Sequence, residues 1–397
     1  MLEPQFALAK QMLAGGNLAA VDIVCRDVLD AYPENTQALN YLGIIAAQVG
    51  ELEKARAYFT RAGDAGAQVN LNMLQRIAPR PKPPEPRYLL IKAWGYGFWS
   101  DVTQVLGSLF LAEITGRIPV VHWGAASLFG DGTGDAFTRY FQPVSAVGLD
   151  HLCRMSGAQL FPPKWTGENL RQDDVAKWTG PGSRAGAVYF LNRPEMIGVS
   201  DFFIGPQHVL PWSNTTRALD AEFRRLAQTW LRPQPDIIQA AERFIADRLG
   251  HAPYVAVHLR GSDKIIEDKN MAAHNDAVIA ALDDIDPAWP VFLLTDDVKI
   301  LADMQARFGD RIVATDCQRT DAGLGLHYRP ETDRIKAGRE IMIDTYIALG
   351  ARRFIGNAKS NVAAMIGVLK DWPDGSCTLI GPSMFADRQL PLYIMQF

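Results

Sequence analysis

The chain has 397 residues, 48% of them hydrophobic, 21% charged and 10% aromatic, the composition of a folded chain long enough for two or three cores and unlike that of a disordered or low-complexity one. Forty basic against forty-four acidic residues leave a net charge of −4, too balanced for a protein that grips a nucleic-acid backbone over a broad face, so no nucleic-acid partner is expected. The cysteines at 25, 153, 317 and 377 form no Cys-x-x-Cys pair and show no zinc-type spacing, and read as reduced thiols. The opening MLEPQFALAKQMLAGGN lacks the basic and apolar regions of an export signal, and no apolar run reaches membrane-spanning length. The expectation is a soluble, cytoplasmic protein without a transmembrane segment.

Residues 1–78 carry a repeat. Leu42-Gly43, Gly50, Ala55, Phe59 and Ala62 alternate small and large side chains as a closely packed helix pair requires, and 34 residues earlier Gly16, Val21, Cys25 and Val28 form a weaker copy. The pattern predicts about two tetratricopeptide-like repeats, all α, with helices near 4–14, 18–31, 36–48 and 52–64. Two such units enclose little, so the block should dock on the rest of the chain, on a protein partner or on a second copy of itself. The stretch 78–87, APRPKPPEPR, has five prolines in ten positions and marks a stiff linker, placed at 79–87.

From Tyr88 the rhythm becomes α/β. Tyr88–Ala93, a Gly95-Tyr96-Gly97 turn, an amphipathic segment Asp101–Thr115 and Ile118–His122 read as strand, turn, helix and strand. The middle, roughly 124–215, is rich in Gly, Pro, Trp and Phe, with Val188–Asn192 as one further strand. After a helical segment over 217–249, strands are expected at Tyr254–Leu259, Val291–Leu294, Arg311–Ala314 and Arg353–Ile355, with helices at 272–283, 298–307, 337–349 and 361–369. This predicts two facing Rossmann-like domains, 88–235 and 236–397, around a cleft where open parallel sheets place ligands.

Three segments carry candidate chemistry. His258-Leu259-Arg260-Gly261-Ser262-Asp263-Lys264 packs charge at a predicted strand end, where Arg260 offers a planar fork for a phosphate; a solvated charged turn is the bland alternative. Gly95-Tyr96-Gly97 allows backbone to approach a ligand and amides to face an anion, although it is neither a dinucleotide fingerprint nor a P-loop. Ser360 and Asn361 stand at a predicted helix start, which either caps the helix or receives a phosphate. Asp344 lies inside a predicted helix and has the chemistry to accept two hydrogen bonds from a guanine edge. Thr295-Asp296-Asp297 reads as a helix cap in preference to a metal pair. The aromatics Trp165, Trp178, Tyr189, Phe190, Phe202, Phe203 and Trp212 either fill core or stack on sugar rings, and the loop 317–336 with His327 either covers the cleft or simply connects.

In this order and spacing, four blocks resemble the GDP-fucose-dependent fucosyltransferases of the α1,6, nodulation and protein O-fucosyl branches. Trp94-Gly95-Tyr96-Gly97-Phe98 is similar to that family's N-terminal Gly-x-Gly turn, and His258 to Lys264 to its His-x-Arg-Arg-Thr-Asp-Lys motif. Leu294-Thr295-Asp296-Asp297 is similar to its Ala-Thr-Asp-Asp strand end, and Ile343-Asp344 with Ser360-Asn361 to its Leu-Asp followed by Ser-Gln. The resemblance implies a bacterial-type, metal-independent, inverting glycosyltransferase of the GT-B type, with no cofactor, moving fucose from GDP-fucose to a glycan or protein hydroxyl. It implies that Arg260 holds the β-phosphate, that His258 and Asp344 contact guanine, and that Gly95, Tyr96 and Gly97 face the pyrophosphate. It further implies that Ser360 and Asn361 receive phosphate, that Lys264 sits near the reaction centre, and that Asp268, with Glu267 as competitor, is the general base. Gly261 stands where the family has its second arginine. The alternatives are a transferase for another nucleotide-sugar and a non-catalytic binding protein built on a degenerate transferase domain.

Overall fold

The computed structural model describes residues 2–76, 86–124, 127–173, 183–250, 252–261, 270–320, 325–326 and 329–385. Helices α1 (Glu3–Ala14), α2 (Leu18–Ala31), α3 (Thr36–Gln48), α4 (Leu52–Ala62) and α5 (Ala65–Leu74) follow one another, each packed on the next. The first four match the expected helices closely; α5 was not expected. Asn17, Asn35 and Asp64 start α2, α3 and α5 by accepting the amides of Ala20, Ala38 and Ala67 at 3.2, 2.9 and 2.6 Å, an arrangement worth about 1 kcal/mol per helix. A Cβ on Gly43 would lie 2.4 Å from the Phe59 ring, so the small/large pair seen in the sequence is where α3 and α4 close. The prolines through Pro84 lie outside the described residues.

The helical block docks on the rest of the chain. Its α2 packs on α8 (Ser183–Phe190), where the Tyr189 hydroxyl donates to Asn17 Oδ1 at 2.9 Å, and Arg26 and Lys54 stand 5.4 and 5.2 Å above the Trp212 ring. Here the structure corrects the sequence reading: Val188–Asn192 is no strand, because Val188–Phe190 is the last turn of α8 and Asn192 lies beyond it in the left-handed region at φ 61°. A short apolar run with an aromatic and a β-branched residue does not separate the two periodicities.

Among the described residues the strands form two wholly parallel sheets. The first comprises β1 (Tyr88–Lys92), β2 (Ile118–His122), β3 (Leu160–Phe161) and β4 (Ile197–Ser200) in the order β2-β1-β4-β3, with α6 (Phe98–Thr115) crossing from β1 to β2. Short α7 (Leu149–Cys153) and α9 (Pro206–Val209) lie in the middle stretch, then α10 (Leu219–Trp230) and α11 (Pro235–Phe244) lead to the second sheet. There β5 (Val255–His258), β6 (Val291–Leu294), β7 (Ile312–Val313), β8 (Arg353–Asn357) and β9 (Cys377–Ile380) take the order β7-β6-β5-β8-β9. The connecting helices are α12 (Met271–Ala280), α13 (Val298–Phe308), α14 (Arg334–Gly350) and α15 (Asn361–Leu369). Every residue of β5 and β6 is buried, as continuous apolar runs are when helices cover both faces of a parallel sheet. Beyond the expected strands stand β3, β4 and β9, each four residues or fewer.

The two halves touch through buried groups. Trp99 Nε1 donates to Thr345 Oγ1 at 3.0 Å, and α15 packs against α6 and α10. No helix among the described residues is long and apolar enough to cross a membrane.

Candidate functional site

Counted from its own first strand, the second sheet runs 3-2-1-4-5, so its order reverses between β5 and β8, the position at which open α/β sheets bind ligands beyond their carboxyl ends. The chain leaves β5 through Leu259-Arg260-Gly261 and leaves β8 through Ala358-Lys359-Ser360. Two motifs distant in sequence therefore meet at one edge. A cleft of about 330 Å³ opens there, with His258, Arg260, Asp344, Ser360 and Asn361 on one side and Trp94, Tyr96 and Gly97 on the other.

The Arg260 side chain is held before any ligand arrives. Its Nη1 lies 2.5 Å from Asp296 Oδ2, the Gly261 amide donates to Asp296 Oδ1 at 3.3 Å, and Asn275 Nδ2 donates to the Arg260 carbonyl at 2.8 Å. Asp297 caps α13, accepting the amides of Lys299 and Ile300 at 2.8 and 3.0 Å. Only one of two adjacent carboxylates can occupy a cap, so the capping expectation holds for Asp297 while Asp296 turns to the arginine. Among the described residues no group of three or more His, Cys, Asp or Glu side chains is arranged to hold a metal ion.

Glycine at position 261 has a steric reason. A Cβ on Gly261 would lie 2.5 Å from the Cβ and Oδ2 of Asp297, so any side chain there displaces the cap of α13. We expect Gly261→Ala to lower the unfolding free energy by about 1–3 kcal/mol in a urea titration. An unchanged midpoint would show that this turn yields freely.

His258 ends β5 only 4% exposed, its Nδ1 buried without a hydrogen-bond partner among the described residues. Burial, then the Arg260 charge, pushes its pKa down to about 3, so the ring is neutral at physiological pH. Such a ring suits the edge of an uncharged heterocycle. Asp344, buried on α14, accepts from Thr315 Oγ1 at 2.7 Å, and burial raises its pKa to about 7. The Cys317 thiol beside it is pushed to about 12, first by burial and then by Asp344. One turn earlier, Glu340 Oε2 accepts the Gln318 amide at 2.9 Å. Cys317 and Gln318 begin the loop expected either to cover the cleft or to connect, and both line the cleft; Thr315 was missed, its one signal being a threonine just past a strand, as at Thr295 after β6.

Ser360 has the backbone of a helix cap, and its carbonyl accepts the Ala364 amide at 2.9 Å, yet its hydroxyl makes no capping bond to α15. The side chain is 3% exposed and borders the cleft. The glycine turn is more constrained than its sequence suggests. Gly95 adopts φ 89°, and the amides of Gly95 and Tyr96 donate to Asp101 Oδ1 of α6 at 3.0 and 3.1 Å, so that carboxylate ties down two amides expected to face an anion. At Gly97 a Cβ would meet nothing within 4 Å, which leaves open space where backbone can approach a ligand.

Lys264, Glu267, Asp268 and His327 lie outside the described residues, as does Trp178. Of the other aromatics in the middle stretch, Trp165, Phe190, Phe202 and Trp212 are buried in the core, as the plainer alternative had it.

No family model and no curated protein matches the sequence. Structural neighbours are fucosyltransferases. The NodZ α-1,6-fucosyltransferase co-crystallised with GDP has a TM-score of 0.47 at 17% identity, covering 72% of this chain and 93% of that one. Fucosyltransferase NodZ from Bradyrhizobium gives 0.47 at 17%, over 71% and 92%. POFUT1 in complex with GDP-fucose gives 0.46 at 15%, over 75% and 99%.

Proposed function

We propose that the chain is a glycosyltransferase of the GT-B type that transfers fucose from GDP-fucose to an acceptor hydroxyl, with inversion and without a metal. The observation that carries this reading is the convergence of His258, Arg260, Asp344 and Ser360 on one cleft at the reversal point of a parallel sheet. In the reaction the acceptor oxygen attacks the anomeric carbon, the bond from that carbon to the β-phosphate oxygen breaks, and GDP leaves with the electron pair. Negative charge grows on the phosphate, where Arg260 and the start of α15 oppose it as fixed donors. The hydroxyl proton passes to a carboxylate, for which Asp268 and Glu267 are the candidates, and such general-base help is worth typically 10²–10⁴-fold. His258 and Asp344 read the guanine, and Lys264 is a further candidate for the reaction centre.

The N-terminal block, read as tetratricopeptide-like, is a candidate to recruit a protein partner or a second copy through faces not used by α8. A cytoplasmic location goes with this reading. Calorimetric titration of the full chain with GDP and UDP, each with and without EDTA, tests the donor assignment. GDP is expected to bind more tightly than UDP by at least tenfold, unaffected by EDTA. Equal binding of UDP, or loss of binding on chelation, would overturn it.

A further inference from the structure

The two walls of the cleft differ in kind. The second half supplies His258, Arg260, Asp296 and Asp344, while the described lining residues of the first half come from Trp94–Ser100 and Phe129, and none of them is charged. Phe98, Trp99 and Phe129 are at most 2% exposed, and Phe98 meets the other two edge to face, so they form a backing layer. The ring that solvent reaches is Tyr96, 50% exposed, stacked at 5.0 Å on the half-buried Trp94. Phe203, just beyond β4, continues the surface 6.2 Å from Trp94. Strand order in the first sheet reverses between β1 and β4, so this aromatic lip sits where that sheet would hold a ligand of its own.

We infer that the lip is the acceptor subsite and that the acceptor is a neutral glycan, one of whose pyranose rings lays its C–H face on the outer face of Tyr96, which Trp94 backs from behind. This rests on the transferase reading. A pyranose with equatorial hydroxyls exposes axial C–H groups on each face and keeps its polar groups at the rim, which matches a flat aromatic surface open to water at its edges. An acidic or basic peptide would find no counter-charge among the described residues of this wall, and electrostatic complementarity is what such a ligand needs. The amides of the same turn are tied to Asp101, which leaves the Tyr96 ring as the part of that residue open to a ligand.

The test is binding, not turnover. Full-length protein is titrated, with and without GDP, with cellotetraose and chitotetraose as neutral probes, and with tetragalacturonate and tetralysine as anionic and cationic ones, monitored by saturation-transfer NMR. At least one neutral tetrasaccharide is expected to bind saturably and more tightly than either charged probe. Tyr96→Ala should weaken it by about fivefold more than it weakens GDP, and Tyr96→Phe should restore binding. The inference is overturned if no neutral probe binds, if a charged probe binds more tightly, or if Tyr96→Ala affects GDP as strongly as the glycan. Failure of GDP to bind would instead remove the donor assignment, while the titrations without nucleotide still decide the lip.

Discussion

Arg260→Ala is expected to weaken GDP binding by about 10- to 100-fold and to lower the rate of transfer by about 10²–10³-fold, with the fold retained. The loss is large because the guanidinium is held in place by Asp296 and by Asn275 on its carbonyl, so little is spent on orienting it when phosphate arrives. Its removal also leaves the Asp296 carboxylate facing the phosphate site without that cation between them. Arg260→Lys should recover only part of the loss, since an ammonium cannot present the planar fork that grips two phosphate oxygens. Calorimetry with GDP measures the affinity, and a thermal melt monitored by circular dichroism checks the fold. A properly folded Arg260→Ala protein that binds GDP as the parent does would refute the assignment of the cleft.

Asp344 should make guanine recognition depend on pH. Its pKa is raised from 3.8 to about 7 by burial, so near pH 6 most of the folded protein carries a neutral acid there. A guanine edge offers N–H donors and favours the carboxylate, so GDP affinity should rise about tenfold between pH 6 and pH 8. Asp344→Asn should remove that rise and weaken GDP binding at pH 8. The stability effect has the opposite sense. Between about pH 4 and 7 the folded chain keeps a proton that the unfolded chain has released, so the contribution of Asp344 to stability is fully present below 4 and is lost as pH rises through 7. Asp344→Asn should therefore melt higher than the parent at pH 8 while binding GDP less well. A variant whose GDP affinity keeps the same slope with pH would place the titrating group elsewhere.

Much of the fold was legible because its elements are regular where packing is two-sided. Tyr88–Ile91, Val255–Val257 and Val291–Leu294 are unbroken apolar runs of the kind a covered parallel sheet buries, and the cap of α13 shows in sequence at Asp297, whereas Asp333, which starts α14 three residues before the expected helix at 337, was not read. What was lost were strands without such a run, such as Ile197–Ser200, whose glycine and serine hide it and whose burial depends on neighbours far away in the chain. The site divides in the same way. Arg260, Asp344 and Ser360 were visible as charge or hydroxyl at element ends. The partners that orient them, Asp296 for Arg260 and Thr315 for Asp344, come from other strands, and their pairing is a property of sheet order. The Ser360 hydroxyl that does not cap α15 and the tied Gly95 and Tyr96 amides were invisible for a further reason: each depends on which of two acceptors or donors wins locally.

The contact of α2 with α8 changes how the N-terminal block is to be regarded. Ala19 and Ile23 are fully shielded beneath Tyr189, and the α2 cap at Asn17 is shared with the Tyr189 hydroxyl. Helices that bury their faces in this way do not melt as an independent appendage; they join the cooperative unit whose core they complete. A deletion of the block therefore strips a wall from the first α/β half, exposing apolar surface on α8 and the Trp212 ring. A substitution in the helices and one beside the cleft therefore act on one thermodynamic unit.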